Sequence, residues 1–266
     1  MRALEGLMRM KVLGLVVLGV CLAASARVMT VTNGQPDGNR HPYVGVVIQF
    51  IPDMPGFVTV CSGSALSSTK FLTAAHCADP SRPVFVSYKS GPPFSLSKDF
   101  TPGTFHPNPN WCIACGPGLP GFDTHDVAVV TLGKPVNPGD FATLPAAGVV
   151  DTLPMGTFVD IVGYGVHGFI PGGGRKQQVF LFTRYFAPSQ LIQSNNVASV
   201  EFIKLTANPS QGTGGVCFGD SGGPDVLSGT DIVLAVNSYV TNGNCAGVTY
   251  SNRVDLPDIL SFINSF

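Results

Sequence analysis

The sequence reads Gly219-Asp220-Ser221-Gly222-Gly223-Pro224 near its C-terminal end. Glycines on both sides of a serine let a tight turn point backbone N–H groups at one spot while the hydroxyl reaches over it. Such a turn suits a nucleophilic serine. Gly, Asp, Ser and Pro also dominate ordinary surface turns, so the motif alone leaves that alternative open.

Two other segments favour the nucleophile. One reads Leu72-Thr73-Ala74-Ala75-His76-Cys77, and the other begins His125-Asp126-Val127. Histidine, aspartate and serine therefore follow one another along the chain, each beside apolar residues or glycine. With these motifs the chain resembles the chymotrypsin/trypsin-type serine proteases. The serine and histidine motifs are highly specific for that family.

The resemblance implies an all-β fold: two antiparallel, six-stranded-type β-barrels (chymotrypsin-like) with a short C-terminal helix. The sequence agrees, because apolar, β-branched or aromatic runs recur between Gly, Pro, Asn and Ser residues. A loop-rich segment at 134–153 divides these runs into two groups. We therefore expect a first barrel at about 43–133 and a second at about 154–254.

Ten strands and one helix are predicted in detail. The helix covers 256–266, where apolar residues recur at helical spacing, and Asp255 is predicted to cap its first turn. The strands are Tyr43–Phe50, Phe57–Leu66, Lys70–Ala75, Val84–Tyr88, Asp126–Leu132, Phe158–Gly165, Gln177–Phe186, Ser199–Thr206, Asp231–Val240 and Val248–Val254.

Composition limits the function classes. Charged residues make up 12% of the chain and the formal net charge is −1, so no basic surface for nucleic acid is indicated. The 32 glycines and 22 prolines, in a chain with 44% apolar residues, are typical of many turns between buried strands. We expect no metal and no cofactor.

The N-terminus predicts export. Basic residues precede an apolar run at 12–24, and Ala24-Ser25-Ala26 suits a signal peptidase. The run is too short to span a bilayer, which takes about 20 residues. We interpret 1–26 as a signal peptide, with a short propeptide at 27–30 as a further option and the peptidase domain at 31–266. The mature protein is then secreted and extracellular; lipid anchoring at Cys21 is the alternative.

Six cysteines remain after the signal, an even number that favours disulfides in an exported chain. The resemblance implies the pairs Cys61–Cys77 and Cys217–Cys245, which leaves Cys112 and Cys115 to pair with each other. The Cys112–Cys115 spacing also matches a redox motif. It lies in a Pro/Gly-rich run and not at a helix start, where a thiol would be activated.

The three motifs supply the parts of a catalytic triad. A serine hydroxyl needs a base to take its proton, and imidazole has the matching basicity, so Ser221 and His76 are assigned as nucleophile and base. A buried carboxylate must hold the imidazole in one tautomer. Asp126 opens an apolar run and is our candidate, with Asp123 as its rival. The other histidines are interpreted as structural: His41, His106, His125 and His167.

The backbone N–H groups of Gly219 and Ser221 are expected to form the oxyanion hole. The resemblance gives Asp220 an ion-pair role that holds this loop in its active shape. No Lys or Arg stands just before Val31, which argues against tryptic activation. We expect Asp220 to pair with the amine of Val31 after another cut, or with Arg40 or Arg253.

The substrate pocket follows from the position of the serine motif. Its expected floor, six residues before the serine, is a glycine and not an acid, so a basic side chain would find no counter-charge. We expect cleavage after small or medium apolar residues. The predicted substrate-binding residues are Gly215, Val216, Ser238, Tyr239, Val240 and Gly247.

These features predict a secreted serine endopeptidase that acts through a His-Asp-Ser triad and an acyl-enzyme intermediate. Expected partners are protein or peptide substrates and protein protease inhibitors, with the protein acting as a monomer and contacting neither nucleic acid nor, after signal removal, a membrane. The main alternative is a catalytically silent protease-fold binding protein. An esterase is a third candidate, because the same chemistry opens esters.

Overall fold

The computed structural model describes residues 33–115, 123–166, 168–170, 177–193 and 200–266. The predicted signal peptide at 1–26, the propeptide at 27–30, Val31 and His167 lie outside these ranges. Within them, no helix has the length and apolar character needed to cross a membrane.

A closed antiparallel barrel of six strands forms the first half of the described chain. The short strand β1 (Gln35–Pro36) precedes it. The barrel strands join in the order β2-β3-β4-β7-β6-β5. Their bounds are β2 (Val44–Phe50), β3 (Val58–Ala65), β4 (Lys70–Thr73), β5 (Val84–Ser87), β6 (Thr101–Pro107) and β7 (Ala128–Leu132).

The second half forms another closed six-stranded barrel, in which β1 adds an edge strand to β11. Its strands are β8 (Phe158–Gly163), β11 (Tyr185–Gln193), β12 (Phe202–Ala207), β13 (Pro224–Leu227), β14 (Val233–Val240) and β15 (Gly247–Arg253). They join in the order β8-β11-β12-β15-β14-β13, and β13 closes back on β8. A separate hairpin pairs β9 (Gly168–Ile170) with β10 (Gln177–Val179).

Short helical elements complete the fold. The α-helices are α1 (Leu96–Asp99) and α2 (Pro257–Asn264), and 3₁₀ turns lie at Ala75–Cys77, Val149–Thr152 and Pro209–Gln211. One apolar cluster fills the first barrel and continues into the second through Val162, Tyr164 and Val236. The two barrels therefore share a packed junction, and residues at that junction are held from both sides.

The predicted fold class is confirmed, since the chain forms two antiparallel six-stranded barrels and a C-terminal helix. Two of the barrel strands were not predicted. Strand β6 contains two prolines and a glycine, which are typical of loops, yet it alternates: Thr101, Gly103 and Phe105 are buried while Pro102 and Thr104 face outward. Strand β13 begins at Pro224, the last residue of the serine motif.

Two local predictions were wrong. The predicted strand Gln177–Phe186 is divided between β10 and β11, with Phe182 in a left-handed conformation (φ +52°) between them. Asp255 does not cap α2, whose N-cap residue is Leu256 and has no side-chain cap. The Asp255 carboxylate is used elsewhere, because it accepts from the Val150 N–H and from Arg253, both at 2.9 Å.

A buried ion pair ties the N-terminal segment to the body of the protein. Arg184, which is 1% exposed, donates through Nε to Asp37 Oδ2 at 2.8 Å, and its other nitrogens bond carbonyl oxygens such as that of Val44. Burial raises the pKa of Asp37, but the hydrogen bond and charge of His41 and the charge of Arg184 outweigh it and hold the pKa below its usual value. Each member of the pair therefore compensates the buried charge of the other.

We expect Arg184→Met to lower the free energy of unfolding by about 3–5 kcal/mol, because it leaves the buried Asp37 carboxylate without its arginine. Urea unfolding followed by the fluorescence of Trp111, the single tryptophan, measures this. Arg40→Met is the matched control, since the exposed Arg40 only stacks over a phenylalanine ring and should cost less than about 1 kcal/mol. Equal effects of the two changes would contradict the prediction.

Candidate active site

His76 and Asp126 are brought together by the pairing of β4 with β7. His76 lies in the 3₁₀ turn that follows β4, Asp126 lies two residues before β7, and the two strands pair beside both residues. His76 Nδ1 donates to Asp126 Oδ2 at 2.7 Å, and the His76 backbone N–H donates to Oδ1 at 2.9 Å. Because the carboxylate is the acceptor, Nδ1 carries the proton and Nε2 is left free to accept one.

Asp126 is fully buried and receives a third hydrogen bond, from the Ser238 hydroxyl to Oδ2 at 2.6 Å. Ser238 was predicted as a pocket wall, and this second contact was not foreseen. The rival Asp123 is engaged elsewhere. Its carboxylate accepts from the Ala114 N–H at 3.0 Å and from the Trp111 ring N–H at 3.3 Å.

The charges around His76 make its imidazole a stronger base. Burial is the largest single influence and lowers the pKa of His76, but the charge and hydrogen bond of Asp126, with a contribution from the charge of Asp123, outweigh it and raise the pKa above the usual value. The side chain keeps 30% of its surface exposed, whereas that of Asp126 is fully covered. The imidazole therefore faces the cleft while its partner lies behind it.

Ser221 lies in a tight turn held by backbone bonds. Its carbonyl oxygen accepts from the Ser62 N–H at 2.8 Å, and the Gly222 N–H donates to the carbonyl oxygen of Asn237 at 2.8 Å. Gly222 has a φ of +79°, and an added Cβ would overlap the Thr73 hydroxyl. Only glycine fits this position, as the motif predicts.

Two backbone N–H groups point away from protein partners beside Ser221. The carbonyl oxygen of Phe218 accepts from the Val166 N–H at 2.8 Å. In a trans peptide the N–H points opposite to the C=O, so the Gly219 N–H faces away from Val166. Within the described part of the chain, neither the Gly219 N–H nor the Ser221 N–H donates to any group. Two unpaired donors are what an oxyanion hole requires.

Ser221 and His76 line the same cleft, which has a volume of about 410 Å³. The Cys61–Cys77 disulfide fixes the turn of His76, and Cys77 Sγ lies 3.7 Å from the carbonyl oxygen of Ser221. No hydrogen bond joins the Ser221 hydroxyl to the His76 ring among the described contacts. Catalytic hydrogen bonds are often long without substrate and tighten when it binds.

Asp220 is fully buried beneath the serine turn. Its carboxylate accepts from the Gly165 N–H at 2.8 Å and from the Cys217 N–H at 2.9 Å, and the described residues supply no other partner. Burial raises the pKa of Asp220 to about 7, although the two N–H donors lower it. The predicted ionic partner is therefore missing from the described part of the chain.

The two arginines that we predicted as partners of Asp220 bind other groups, so that prediction was wrong. The Arg40 guanidinium lies 4.0 Å from the centre of the Phe186 ring. Arg253 Nε donates to Asp255 at 2.9 Å. The other predicted partner, a new N-terminal amine, falls outside the described residues and stays a prediction.

The cleft wall contains four of the six predicted substrate-binding residues, together with others that we did not predict. Gly215 and Gly247 are not among them. Gly215 is buried, and a Cβ there would overlap Ala207, whereas Gly247 is exposed with open space around it. The residues that line the cleft are His76, Val216, Cys217, Phe218, Ser221, Ser238, Tyr239, Val240, Thr241, Asn242 and Gly243.

All three expected disulfides are confirmed: Cys61–Cys77, Cys112–Cys115 and Cys217–Cys245. The Cys217–Cys245 bridge joins the segment before the serine turn to the end of the cleft wall. Among the described residues, His76, Cys61 and Cys77 form the one group with metal-ligand spacing. Both sulfurs are in a disulfide and are not thiolate ligands.

Comparisons with known proteins agree with this architecture. A family model described as Trypsin matches residues 32–260. The solved structure of HL collagenase is 18% identical, with a TM-score of 0.61 over 87% of this chain and 95% of that chain. The structure of GrC is 18% identical, with a TM-score of 0.65 over 87% and 97%. Human heparin binding protein is 16% identical, with a TM-score of 0.61 over 88% and 95%. These similarities show the fold.

Proposed function

The chain belongs to the trypsin family, and from this premise we propose that it is a serine endopeptidase with Ser221, His76 and Asp126 as its catalytic triad. The observation that carries the proposal is the His76–Asp126 pair, which shares one cleft with Ser221 and two unpaired N–H donors. Members of this family act on protein or peptide substrates, and we propose the same for this chain.

The proposed reaction follows from these positions. His76 Nε2 takes the proton of the Ser221 hydroxyl while Oγ attacks the carbonyl carbon of the substrate. The N–H groups of Gly219 and Ser221 bind the resulting oxyanion. The C–N bond then breaks, and His76 gives its proton to the leaving amine. Water, deprotonated in turn by His76, hydrolyses the acyl-enzyme and releases the acid.

An active-site probe tests the proposal. A fluorophosphonate should label the secreted protein at Ser221, as peptide mapping by mass spectrometry would show, because only an activated serine reacts quickly. Labelling should fall as the pH drops and His76 becomes protonated. A folded protein that is not labelled would favour the alternative of a protease-fold binding protein.

We propose that the enzyme cleaves after small or medium apolar residues. No acidic residue lines the described cleft, and Val216, Tyr239 and Val240 contribute apolar surface to its walls. A basic substrate side chain would lose its solvation without gaining a counter-charge. Peptide substrates that differ only at this position decide the question: Ala and Val should be cleaved fastest, and fastest cleavage after Arg or Lys would refute the proposal.

We also propose that the protein is exported, loses residues 1–26 and acts outside the cell as a monomer, with protein protease inhibitors among its partners. The three disulfides support an oxidising compartment. N-terminal sequencing of the active form tests this and the role of Asp220 together. A mature start other than Val31 would exclude a Val31 amine as the partner of Asp220.

A further inference from the structure

Ser62 donates hydrogen bonds to the carbonyl oxygens of Gly219 and Ser221, the two residues whose N–H groups are unpaired in the cleft. It is fully buried in β3, at the junction of the two barrels. Its N–H donates to the carbonyl oxygen of Ser221 at 2.8 Å, and its hydroxyl donates to the carbonyl oxygen of Gly219 at 2.9 Å. One residue of the first barrel therefore contacts the serine turn at two points.

The direction of the Ser62 hydroxyl is fixed by its surroundings. The Tyr164 N–H donates to Ser62 Oγ at 2.9 Å. A backbone N–H can only donate, so Oγ accepts there and its single proton goes to Gly219. The Thr73 hydroxyl in turn donates to the carbonyl oxygen of Ser62 at 2.8 Å. The residue has one hydrogen-bonding arrangement and is held by its neighbours.

Gly219 needs such a restraint. At a φ of +94° it has no side chain to limit rotation of the peptide groups on either side. The peptide before it is held through the carbonyl oxygen of Phe218, which accepts from Val166. The peptide after it is held at both ends: the Gly219 carbonyl oxygen accepts from Ser62, and the Asp220 N–H donates to the carbonyl oxygen of Cys217 at 3.0 Å. The Ser62 hydroxyl is the side chain that fixes this second peptide.

We infer that Ser62 is a positioning residue for the reaction, and that its hydroxyl keeps the N–H groups of Gly219 and Ser221 aimed at the oxyanion. The inference rests on the proposed function. Donors that are aimed in advance stabilise the transition state more than the bound substrate. Loss of the hydroxyl should therefore lower kcat and leave KM nearly unchanged.

The test uses Ser62→Ala in the full chain with a peptide substrate that carries valine before the cut bond. We expect kcat to fall by at least about tenfold, but by less than the roughly 10²–10³-fold loss that follows removal of a whole oxyanion donor. KM should change by no more than about twofold. A peptide aldehyde, which forms a hemiacetal with Ser221 and places its oxygen in the hole, should bind about tenfold more weakly. The matching peptide alcohol, which forms no adduct, should bind unchanged.

Ser64→Ala is the matched control. Ser64 lies two residues further along β3, is 1% exposed, and its hydroxyl has no hydrogen-bond partner among the described residues. This change should leave kcat and both inhibition constants unaltered. Ser62→Cys keeps a side chain of similar size with a weak donor, so its kcat and its affinity for the aldehyde should lie between those of Ser62→Ala and the unaltered protein. Titration with a fluorophosphonate normalises every rate to the folded, reactive fraction.

The outcomes separate the inference from the proposed function. If the unaltered protein is labelled but Ser62→Ala behaves like Ser64→Ala, the positioning role is wrong and the protease assignment stands. If Ser62→Ala binds the aldehyde and the alcohol more weakly by the same factor, the positioning role is also wrong. If Ser62→Ala does not fold, Ser62→Cys decides, and an unchanged aldehyde affinity refutes the role. An unreactive wild-type chain refutes both proposals.

Discussion

Ser221→Ala is expected to lower kcat by about a millionfold, the loss seen when a serine protease is deprived of its nucleophile. The fold should not suffer. The turn is held by backbone bonds of Ser221 and its neighbours, and its hydroxyl bonds no described residue. Thermal unfolding should therefore match the unaltered protein, while burst kinetics with an ester substrate should show no acyl-enzyme.

The second variant to compare is the double change Ser221→Ala with His76→Ala. A base has no function without the proton that it removes, so the double variant should be no slower than Ser221→Ala alone. Additive losses would show that His76 and Ser221 do not act on one proton. Residual activity above about one per cent would show that another group is the nucleophile.

Much of the fold could be predicted because its signals are local. Apolar runs between turn residues mark most strands of both barrels, and the spacing of Ile259 and Ile263 marks the final helix, in which both are buried. The signals fail where a tertiary contact overrides a local preference. Strand β6 is a strand because neighbours on both sides pair with it, although its prolines and glycine alone indicate a loop.

The candidate site divides in the same way. His76, Asp126 and Ser221 each lie in a short motif of their own, so the sequence could identify them. The serine partners of Asp126 and Gly219 could not be identified, because Ser238 and Ser62 lie 112 and 157 residues from them along the chain. A lone serine in a strand carries no sign of the carbonyl or carboxylate that it will meet.

Asp220 and Asp255 illustrate a further limit. Each was assigned a partner from its neighbours in sequence or from its place in a motif, and each also accepts a backbone N–H from a distant segment, that of Gly165 for Asp220 and that of Val150 for Asp255. Buried carboxylates accept wherever the fold leaves a donor unpaired. The packing of both barrels decides which donors those are, and the sequence pattern does not show that packing.

Asp126→Asn should lower kcat by about 10⁴-fold, the loss known for this change in triads of this kind. Asp126 accepts from three donors: the His76 N–H, the His76 ring Nδ1 and the Ser238 hydroxyl. An asparagine side chain must point its NH₂ group either at the His76 backbone N–H or at the His76 ring Nδ1 and the Ser238 hydroxyl. The backbone N–H cannot become an acceptor, whereas the ring nitrogen and the hydroxyl can. The amide will therefore donate to Nδ1, and the proton of the ring will move to Nε2, where the base is needed.

The same change should shift the pH profile. Asp126 raises the pKa of His76, and burial lowers it. In the protein with Asp126 intact, we expect kcat/KM to fall as the pH drops through the raised pKa of His76, because the protonated ring cannot accept a proton. Without the Asp126 carboxylate, the lowering of the pKa by burial is opposed only by the smaller effect of the Asp123 charge, so the residual activity should persist to lower pH. Asp123→Asn is the control, since Asp123 acts on His76 only through its charge: it should move the profile slightly and leave kcat near normal. A profile that both variants shift equally would contradict the assignment of Asp126.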